Sequence, residues 1–329
     1  MQRYVSSTQG LSAYLFAFWW PCATLRAAAP RLSSGRIFSI ERIVNTPLTL
    51  QQALLHAHHQ GMERIDAQML LLHVLGQPHA GRAWLLTHDS DILTPAQQAQ
   101  FAALCAQRQD GVPVAYLTGC KEFFGLSLQV DARVLDPRPD TETLVEWALD
   151  AVENTVSPAL IDLGTGSGAI ALALQSQRKD ATVLAVDFSQ DALDVAQANA
   201  QRLQLPVQFL QSSWLCNVQG VFDVIVSNPP YIREDDPHMP ALRHEPRHAL
   251  TSGADGLDDI RTIIAQAPQH LKAGGWLLLE HGWDQADAVQ ALLRQASFTQ
   301  VHSRQDLAGI ARCTGGQTPL TASASNTVK

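Results

Sequence analysis

The chain has 329 residues, of which 46% are hydrophobic, and a formal net charge of -8. This length and apolar content suffice for about two domains with proper cores. Proteins that grip duplex phosphates usually carry a basic face, so the acidic balance argues against DNA as a substrate. Five scattered cysteines without CxxC spacing argue against a zinc site or a disulfide framework, and they favour a reducing cytoplasm.

Residues 1–44 differ in composition from the rest of the chain. They contain five arginines, a single acidic residue (Glu41) and an apolar run from Leu11 to Trp20. This composition is typical of a targeting segment, but a translation start placed too early, with Val44 as the true initiator, explains it better. The apolar run is too short to span a membrane. Residues 1–44 therefore form an extension outside the predicted fold.

Residues 45–111 are predicted to form a small helical domain. Apolar residues recur at helical spacing in the stretch from Leu50 to Ala57. Thr94 and Pro95 are a typical N-cap and first helical residue, so they predict the start of another helix. No pattern in this region is typical of catalysis. Docking a partner or shaping a substrate groove is its expected role.

The spacing of apolar residues changes over residues 112–137, which are predicted to link two domains. Pro113 to Gly119 is expected to be extended. The alternation from Lys121 to Leu135 around Gly125 indicates a β-hairpin.

The catalytic domain is predicted over residues 138–314. Asp140 or Thr141 is expected to cap its first helix. Residues 315–329, rich in Thr and Ser, are expected to form a disordered tail. This tail contains the tripeptide Gly315-Gly316-Gln317, which we attribute to chance.

A glycine loop follows the first predicted strand of that domain. The strand spans 159–163, and the loop consists of Gly164, Thr165, Gly166, Ser167 and Gly168. A strand–glycine-turn–helix unit lets backbone N–H groups approach an anionic or polar cofactor. A second strand, 182–186, ends in Asp187, whose carboxylate can accept hydrogen bonds from ribose hydroxyls. These residues predict a nucleoside cofactor, either NAD or S-adenosylmethionine.

Trp214 follows a third predicted strand, 207–210. A residue in this position can reach the adenine ring of a nucleoside cofactor, and an indole ring can cover it. A tryptophan buried in the hydrophobic core explains the residue equally well.

The fourth predicted strand, 222–226, leads into the turn Asn228-Pro229-Pro230-Tyr231. Neither proline has an N–H group, so the strand must stop there. In an open α/β sheet, ligands bind at that edge. The Asn228 amide, the proline carbonyls and the Tyr231 ring suit a planar –NH2 group, whose lone pair they would direct at an electrophile. An ordinary Asx-Pro turn is the alternative.

A nitrogen methyltransferase needs such a clamp, whereas a hydride-transfer enzyme does not. The chain resembles the S-adenosylmethionine-dependent amino-methyltransferases, and among them the HemK/PrmC family of peptide chain release factor glutamine methyltransferases. The resemblance covers roughly residues 47–314. It rests on six segments, which are 66–76, 113–119, 137–142, 162–168, 226–231 and 277–282.

The resemblance implies a class I S-adenosylmethionine-dependent methyltransferase (Rossmann-like) sheet with a small helical N-terminal domain and a β-hairpin linker. It implies that the glycine loop, Asp187, Trp214 and Asn228 bind S-adenosylmethionine. The turn from Asn228 to Tyr231 would clamp the glutamine side chain of a Gly-Gly-Gln loop in a release factor. Such an enzyme is expected to be a cytoplasmic monomer that needs no metal, DNA or membrane.

Three other functions remain open at this point. A ribosomal-protein glutamine methyltransferase would share every motif, and an adenine-amino DNA methyltransferase would share the clamp. A non-catalytic assembly factor that keeps the fold would not need an intact clamp. The polar segment from Ile232 to Asp255 is expected to be a mobile flap over the substrate channel, with Arg243 and Glu245 as solvated charges.

Overall fold

The structure, a computed structural model, describes residues 47–78 and 80–320. The prediction for residues 1–44 lies outside the described residues. The helices are α1 (Leu50–His59), α2 (Arg64–Val74), α3 (Arg82–Thr87), α4 (Pro95–Gln109), α5 (Val114–Thr118), α6 (Glu142–Ala151), α7 (Ala169–Gln177), α8 (Gln190–Leu203), α9 (Asp258–Gln266) and α10 (Ala286–Gln295). The strands are β1 (Cys120–Phe123), β2 (Leu126–Gln129), β3 (Ala159–Leu163), β4 (Thr182–Asp187), β5 (Gln208–Gln211), β6 (Phe222–Ser227), β7 (Leu271–Glu280), β8 (Thr299–Gln305) and β9 (Ala311–Gln317).

Seven strands form one sheet in the order β5-β4-β3-β6-β7-β9-β8. The strands from β3 to β7 are parallel, and β9 runs antiparallel to both β7 and β8. Successive side chains of a strand point to opposite faces, so Leu160 joins the core beneath α6, α7 and α8, while Ile161 and Leu163 join the core beneath α9 and α10. Burial on both faces explains the continuous apolar runs of β3 and β6. It also confirms the predicted Rossmann-like α/β sheet.

The chain order places a crevice at the carboxyl ends of β3 and β6. After β5 the chain crosses to the other side of β3 to form β6, and ligands bind where the strand order reverses in this way. The Ser227 hydroxyl donates a hydrogen bond of 2.7 Å to the Leu163 carbonyl, which ties the ends of the two strands together. The glycine loop and the Asn-Pro-Pro-Tyr turn therefore start side by side.

The region before the sheet consists of short helices and a hairpin. Thr94 caps α4 with Pro95 in the first turn, as predicted. The expectation that residues 113–119 are extended is wrong, since α5 occupies most of them and ends at Gly119 with φ 70°. The Thr118 hydroxyl donates to the Val114 carbonyl within this helix. The predicted hairpin is present as the pair β1–β2.

The expectation of a disordered tail is wrong for residues 315–317, which complete strand β9. Gly315 lies between two large side chains, since a Cβ atom there would come within 2.5 Å of Leu278 and 3.0 Å of Trp147. The Gln317 amide donates to the Gly274 carbonyl at 2.7 Å. Close packing therefore requires glycine at position 315, where the composition of the sequence had suggested a disordered tail. Residues 321–329 lie outside the described part of the chain.

We expect Trp147→Ala to lower the free energy of unfolding by ~3–5 kcal/mol, as large-to-small changes in cores do. Trp147 is 2% exposed and packs against the rings of Trp276 and His302, with the Arg304 guanidinium 4.7 Å from its ring centre. Urea unfolding followed by circular dichroism measures the loss. Trp147→Phe is the matched control and should lose much less stability. A Trp147→Ala variant as stable as the wild type would contradict this packing role.

Candidate active site at the carboxyl ends of β3 and β6

The glycine loop turns sharply between β3 and α7. Gly164, Gly166 and Gly168 have φ values of 72°, 54° and 83°, in the left-handed region that residues with a Cβ atom avoid. Thr165 and Ser167 are buried, and the Thr165 hydroxyl donates to Asp162 at 2.6 Å. The loop therefore presents its backbone at Gly164 and Gly166, while the side chains between them hold it from below.

A first cavity of about 240 Å³ opens above this loop. Of the residues predicted to bind the cofactor, it is lined by Gly164, Gly166, Asp187, Trp214 and Asn228, and Pro230 lines it too. Thr165, Ser167 and Gly168 do not line it. They shape the loop from behind instead.

The Asp187 carboxylate stands at the end of β4 with both oxygens oriented by the backbone. Oδ2 accepts from Gly166 N–H and Oδ1 from Ser189 N–H, each at 2.9 Å. A carboxylate has about four lone-pair sites, so each oxygen can accept a further hydrogen bond. This geometry suits the two neighbouring hydroxyls of a ribose.

Trp214 lies across the glycine loop. Its six-membered ring comes within 3.3 Å of the point where a Cβ atom on Gly164 would stand, and its indole N–H donates to Asp259 at 3.1 Å. The backbone φ of Trp214 is 49°, which is rare for a bulky residue and marks positions held by their surroundings. Phe188, 74% exposed, also lines the cavity; the sequence pattern did not single it out.

A second cavity of about 290 Å³ adjoins the first. It is lined by Tyr231 and Arg138, and it shares Leu135, Asn228 and Ala249 with the first cavity. Pro229 is buried within the turn. Asn228 thus belongs to both cavities, where a group bound in one can meet a group bound in the other.

Two buried carboxyl groups lie close to these cavities. Burial raises the pKa of Asp162 to about 7, while bonds from Thr165 and Ala171 oppose the rise. Burial also raises the pKa of Glu280 to about 7. Asp162 Oδ1 and Glu280 Oε2 have no hydrogen-bond partner among the described residues. A nearby cation would favour the ionised form of both groups.

Thr141 does not act as the helix cap that its sequence position suggested. Its side chain makes no capping hydrogen bond to α6. Its hydroxyl instead accepts a hydrogen bond of 3.2 Å from the Asn228 amide. The Tyr231 hydroxyl donates to Glu280 at 3.4 Å. Glu280 belongs to a segment that supported the family resemblance, but nothing in the sequence connected it to the turn.

The segment from Ile232 to Asp255 folds over the second cavity. Contrary to expectation, Glu245 is not a solvated charge, since it is 8% exposed and accepts hydrogen bonds from Arg138 and from Asp136 N–H. Arg243 pairs with Asp110. Each partner lies more than a hundred residues away, which is why the local sequence gave no sign of these contacts.

Across residues 47–78 and 80–320, no helix is long and apolar enough to cross a membrane. The same residues contain no cluster of three or more His, Cys, Asp or Glu side chains that could hold a metal ion.

Comparison with known proteins first defines the class. Residues 141–253 match the family model described as methyltransferase small domain. The crystal structure of the hMettl16 catalytic domain with MAT2A 3'UTR hairpin 6 shares the fold, with a TM-score of 0.52 at 17% identity over 68% of this chain and 93% of that chain. The fold is that of the class I S-adenosylmethionine-dependent methyltransferases.

Closer relatives define the family. Residues 48–119 match the PrmC N-terminal domain. The release factor glutamine methyltransferase of Bordetella pertussis is 49% identical over 260 residues, covering 78% of this chain and 95% of that protein. The release factor glutamine methyltransferase of Xylella fastidiosa (strain Temecula1) is 49% identical over 271 residues, which cover 81% of this chain and 98% of that protein. The chain belongs to the family of release factor glutamine methyltransferases.

The first cavity fits the cofactor of this class, S-adenosylmethionine. Asp187 offers free lone pairs for ribose hydroxyls, and the absence of a Cβ atom at Gly164 leaves room for the Trp214 ring. The unpartnered oxygen of Asp162 beneath the loop suits a cofactor that carries positive charge. These residues would hold the cofactor, and the methyl group would lie toward Asn228.

We expect Asp187→Ala to weaken S-adenosylhomocysteine binding by about 10- to 100-fold. Hydrogen bonds to charged groups contribute ~1.5–3 kcal/mol each. Isothermal titration calorimetry on the full chain measures the change. Asp191→Ala removes an exposed carboxylate near the start of α8 and is the charge-matched control. Wild-type affinity in Asp187→Ala would rule out the ribose contact.

Proposed function

We propose that this chain methylates the side-chain amide nitrogen (N5) of glutamine in the Gly-Gly-Gln motif of peptide chain release factors, with S-adenosylmethionine as methyl donor. The observation that carries this proposal is the position of Asn228 between the two cavities. A planar amide in the second cavity would meet there a methyl group presented from the first. The family of the chain supports release factors as the substrate.

The turn supplies the means to orient a weak nucleophile. Because Asn228 Nδ2 donates to Thr141, its Oδ1 is the atom left to accept from the substrate amide. Oδ1 and the Pro229 carbonyl would each accept one N–H of the substrate –NH2 group, and Tyr231 would pack against its plane. Both hydrogens are then held in place, and the nitrogen lone pair points at the methyl carbon.

S-adenosylmethionine, when bound, would supply a methyl group on a positively charged sulfur, and this sulfur would keep the C–S electron pair and leave as a neutral thioether. The turn would hold the substrate nitrogen so that its lone pair forms the new N–C bond. One of the two hydrogens that Asn228 and Pro229 orient then leaves as a proton. No side chain has to remove it beforehand, because the methylated nitrogen is strongly acidic.

Two other substrates share parts of this site. A ribosomal-protein glutamine would fit the same turn, but a PrmC-type helical region at residues 48–119 favours release factors. An adenine amino group in DNA would fit the turn, but the net charge of -8 disfavours a duplex. We further infer that the enzyme acts as a monomer in the cytoplasm, where release factors work.

We expect Asn228→Ala to lower kcat by about 10²- to 10³-fold, as the loss of one preorganised hydrogen-bonding group does in other enzymes. Methyl transfer from labelled S-adenosylmethionine to purified release factor measures the rate. Asn154→Ala, an exposed asparagine, is the control and should keep full activity. Full activity in Asn228→Ala would refute the proposed role of the turn.

Peptide mass mapping of the same reaction tests the substrate. A single added methyl on the glutamine of the Gly-Gly-Gln motif is the expected product. Label found only on ribosomal protein or on DNA would overturn the release-factor assignment and leave the methyltransferase class intact.

A further inference from the structure

The segment 232–255, which we call the flap, starts and ends beside the Asn-Pro-Pro-Tyr turn. The Ile232 N–H donates to the Leu250 carbonyl, and the Ser252 N–H donates to the Ile232 carbonyl, each at 2.9 Å. These bonds close the base of the flap next to Tyr231. The flap also supplies one wall of the second cavity, through the side chains of Leu242, Ala249 and Leu250.

The middle of the flap is held by a buried carboxylate. Glu245 lies in sequence between the residues that form the wall, and its side chain is 3% exposed. Its Oε1 accepts a hydrogen bond from the Arg138 guanidinium, and its Oε2 accepts from Asp136 N–H at 3.3 Å. Both donors belong to the connector that leads into α6. Glu245 therefore fastens the wall to a part of the chain outside the flap.

The connector is itself held in place by charge pairs. The Asp136 side chain is 8% exposed, and its Oδ1 lies 3.1 Å from Nζ of Lys121 in β1. Its Oδ2 lies 3.6 Å from Nη1 of Arg138. Two carboxylates thus balance two cations in this network. Removing one member of such a buried pair leaves an uncompensated charge behind, which is costly.

Arg138 belongs to the anchor of the flap and to the second cavity at once. It lines that cavity together with Asn228 and Tyr231, and its side chain is 38% exposed. Three residues further on, Thr141 accepts the hydrogen bond from the Asn228 amide. The wall and the turn are therefore both fixed relative to the short stretch from Asp136 to Thr141.

We propose that Glu245 and Arg138 are positioning residues that hold the flap as a preformed wall of the second cavity, against which the substrate glutamine packs. Glu245 acts through the wall without touching the substrate. This inference rests on the proposed function and extends it from the turn to the flap.

A preformed wall affects binding more than chemistry. A flap that is already in place pays no ordering cost when the substrate arrives, whereas a loose flap must be ordered at the expense of binding free energy. Packing against the wall is the same before and during methyl transfer. Its loss should therefore raise KM for the protein substrate and leave kcat nearly unchanged.

The test compares Glu245→Gln, Arg138→Gln and the double variant in the full chain, with release factor as substrate. We expect each single variant to raise KM about 10- to 100-fold, because hydrogen bonds between charged partners are strong, while kcat stays within about threefold. The double variant should raise KM no further than either single one, since the two residues act as a unit. Affinity for S-adenosylhomocysteine should change much less, because only His248 and Ala249 of the flap line the first cavity.

Limited trypsin digestion reports on the flap directly. Cleavage after Arg243 or Arg247, mapped by mass, should be about fivefold faster or more in the single variants, since proteolysis follows local opening. Glu234→Gln removes an exposed carboxylate of the same segment and is the matched control, which should keep wild-type KM and cleavage.

Unchanged KM in Glu245→Gln would overturn the inference. A raised KM without faster cleavage would also overturn it, because the effect would then not pass through the flap. If Glu245→Gln does not fold, as judged by circular dichroism, Arg138→Gln decides alone by the same two measurements. Wild-type enzyme that fails to methylate release factor would instead refute the proposed function.

Discussion

The site depends on one constraint of the backbone, which is that β6 cannot continue past Ser227. Two prolines without N–H groups end the ladder, and the Ser227 hydroxyl fastens that end to Leu163 of the central strand β3. Asn228 is thereby delivered next to the glycine loop at the point where the strand order reverses. The first and second cavities meet at Asn228, directly after the point where the two prolines end β6.

A second theme is the use of carboxyl groups that the fold removes from water. Asp162 lies under the loop and Glu280 behind the turn, and each has one oxygen that accepts no hydrogen bond from the part of the chain that the structure describes. Burial alone would make such groups neutral. Each is also held by hydroxyl donors, Thr165 for Asp162 and Tyr231 for Glu280. Because their pKa values are raised to about 7, both groups can lose or gain a proton near neutral pH. A cationic ligand at the edge of a cavity would favour the ionised form.

The sequence predicted the sheet, the glycine loop and the turn because each has a local signature of apolar runs, glycines or prolines. It missed what arises only from long-range contact. Thr141 stands at a helix start and was assigned to capping, yet its partner Asn228 comes from a distant strand. Glu245 forms an ion pair with Arg138, which is 107 residues away in the sequence and becomes its neighbour only in the folded chain. Short α5 was mistaken for extended chain because five residues show too little periodicity.

The strand β9 carries a further consequence. The chain contains the tripeptide Gly-Gly-Gln at 315–317, the same three residues proposed as its target, yet the Gln317 amide donates to the Gly274 carbonyl and accepts from Gln300. Its glycines are wedged under Trp147, Leu278 and Phe298. In this chain the three residues are part of a β-strand whose two glycines are buried, and the Gln317 amide is engaged by its neighbours in the sheet. The same tripeptide can therefore serve as packing inside a sheet.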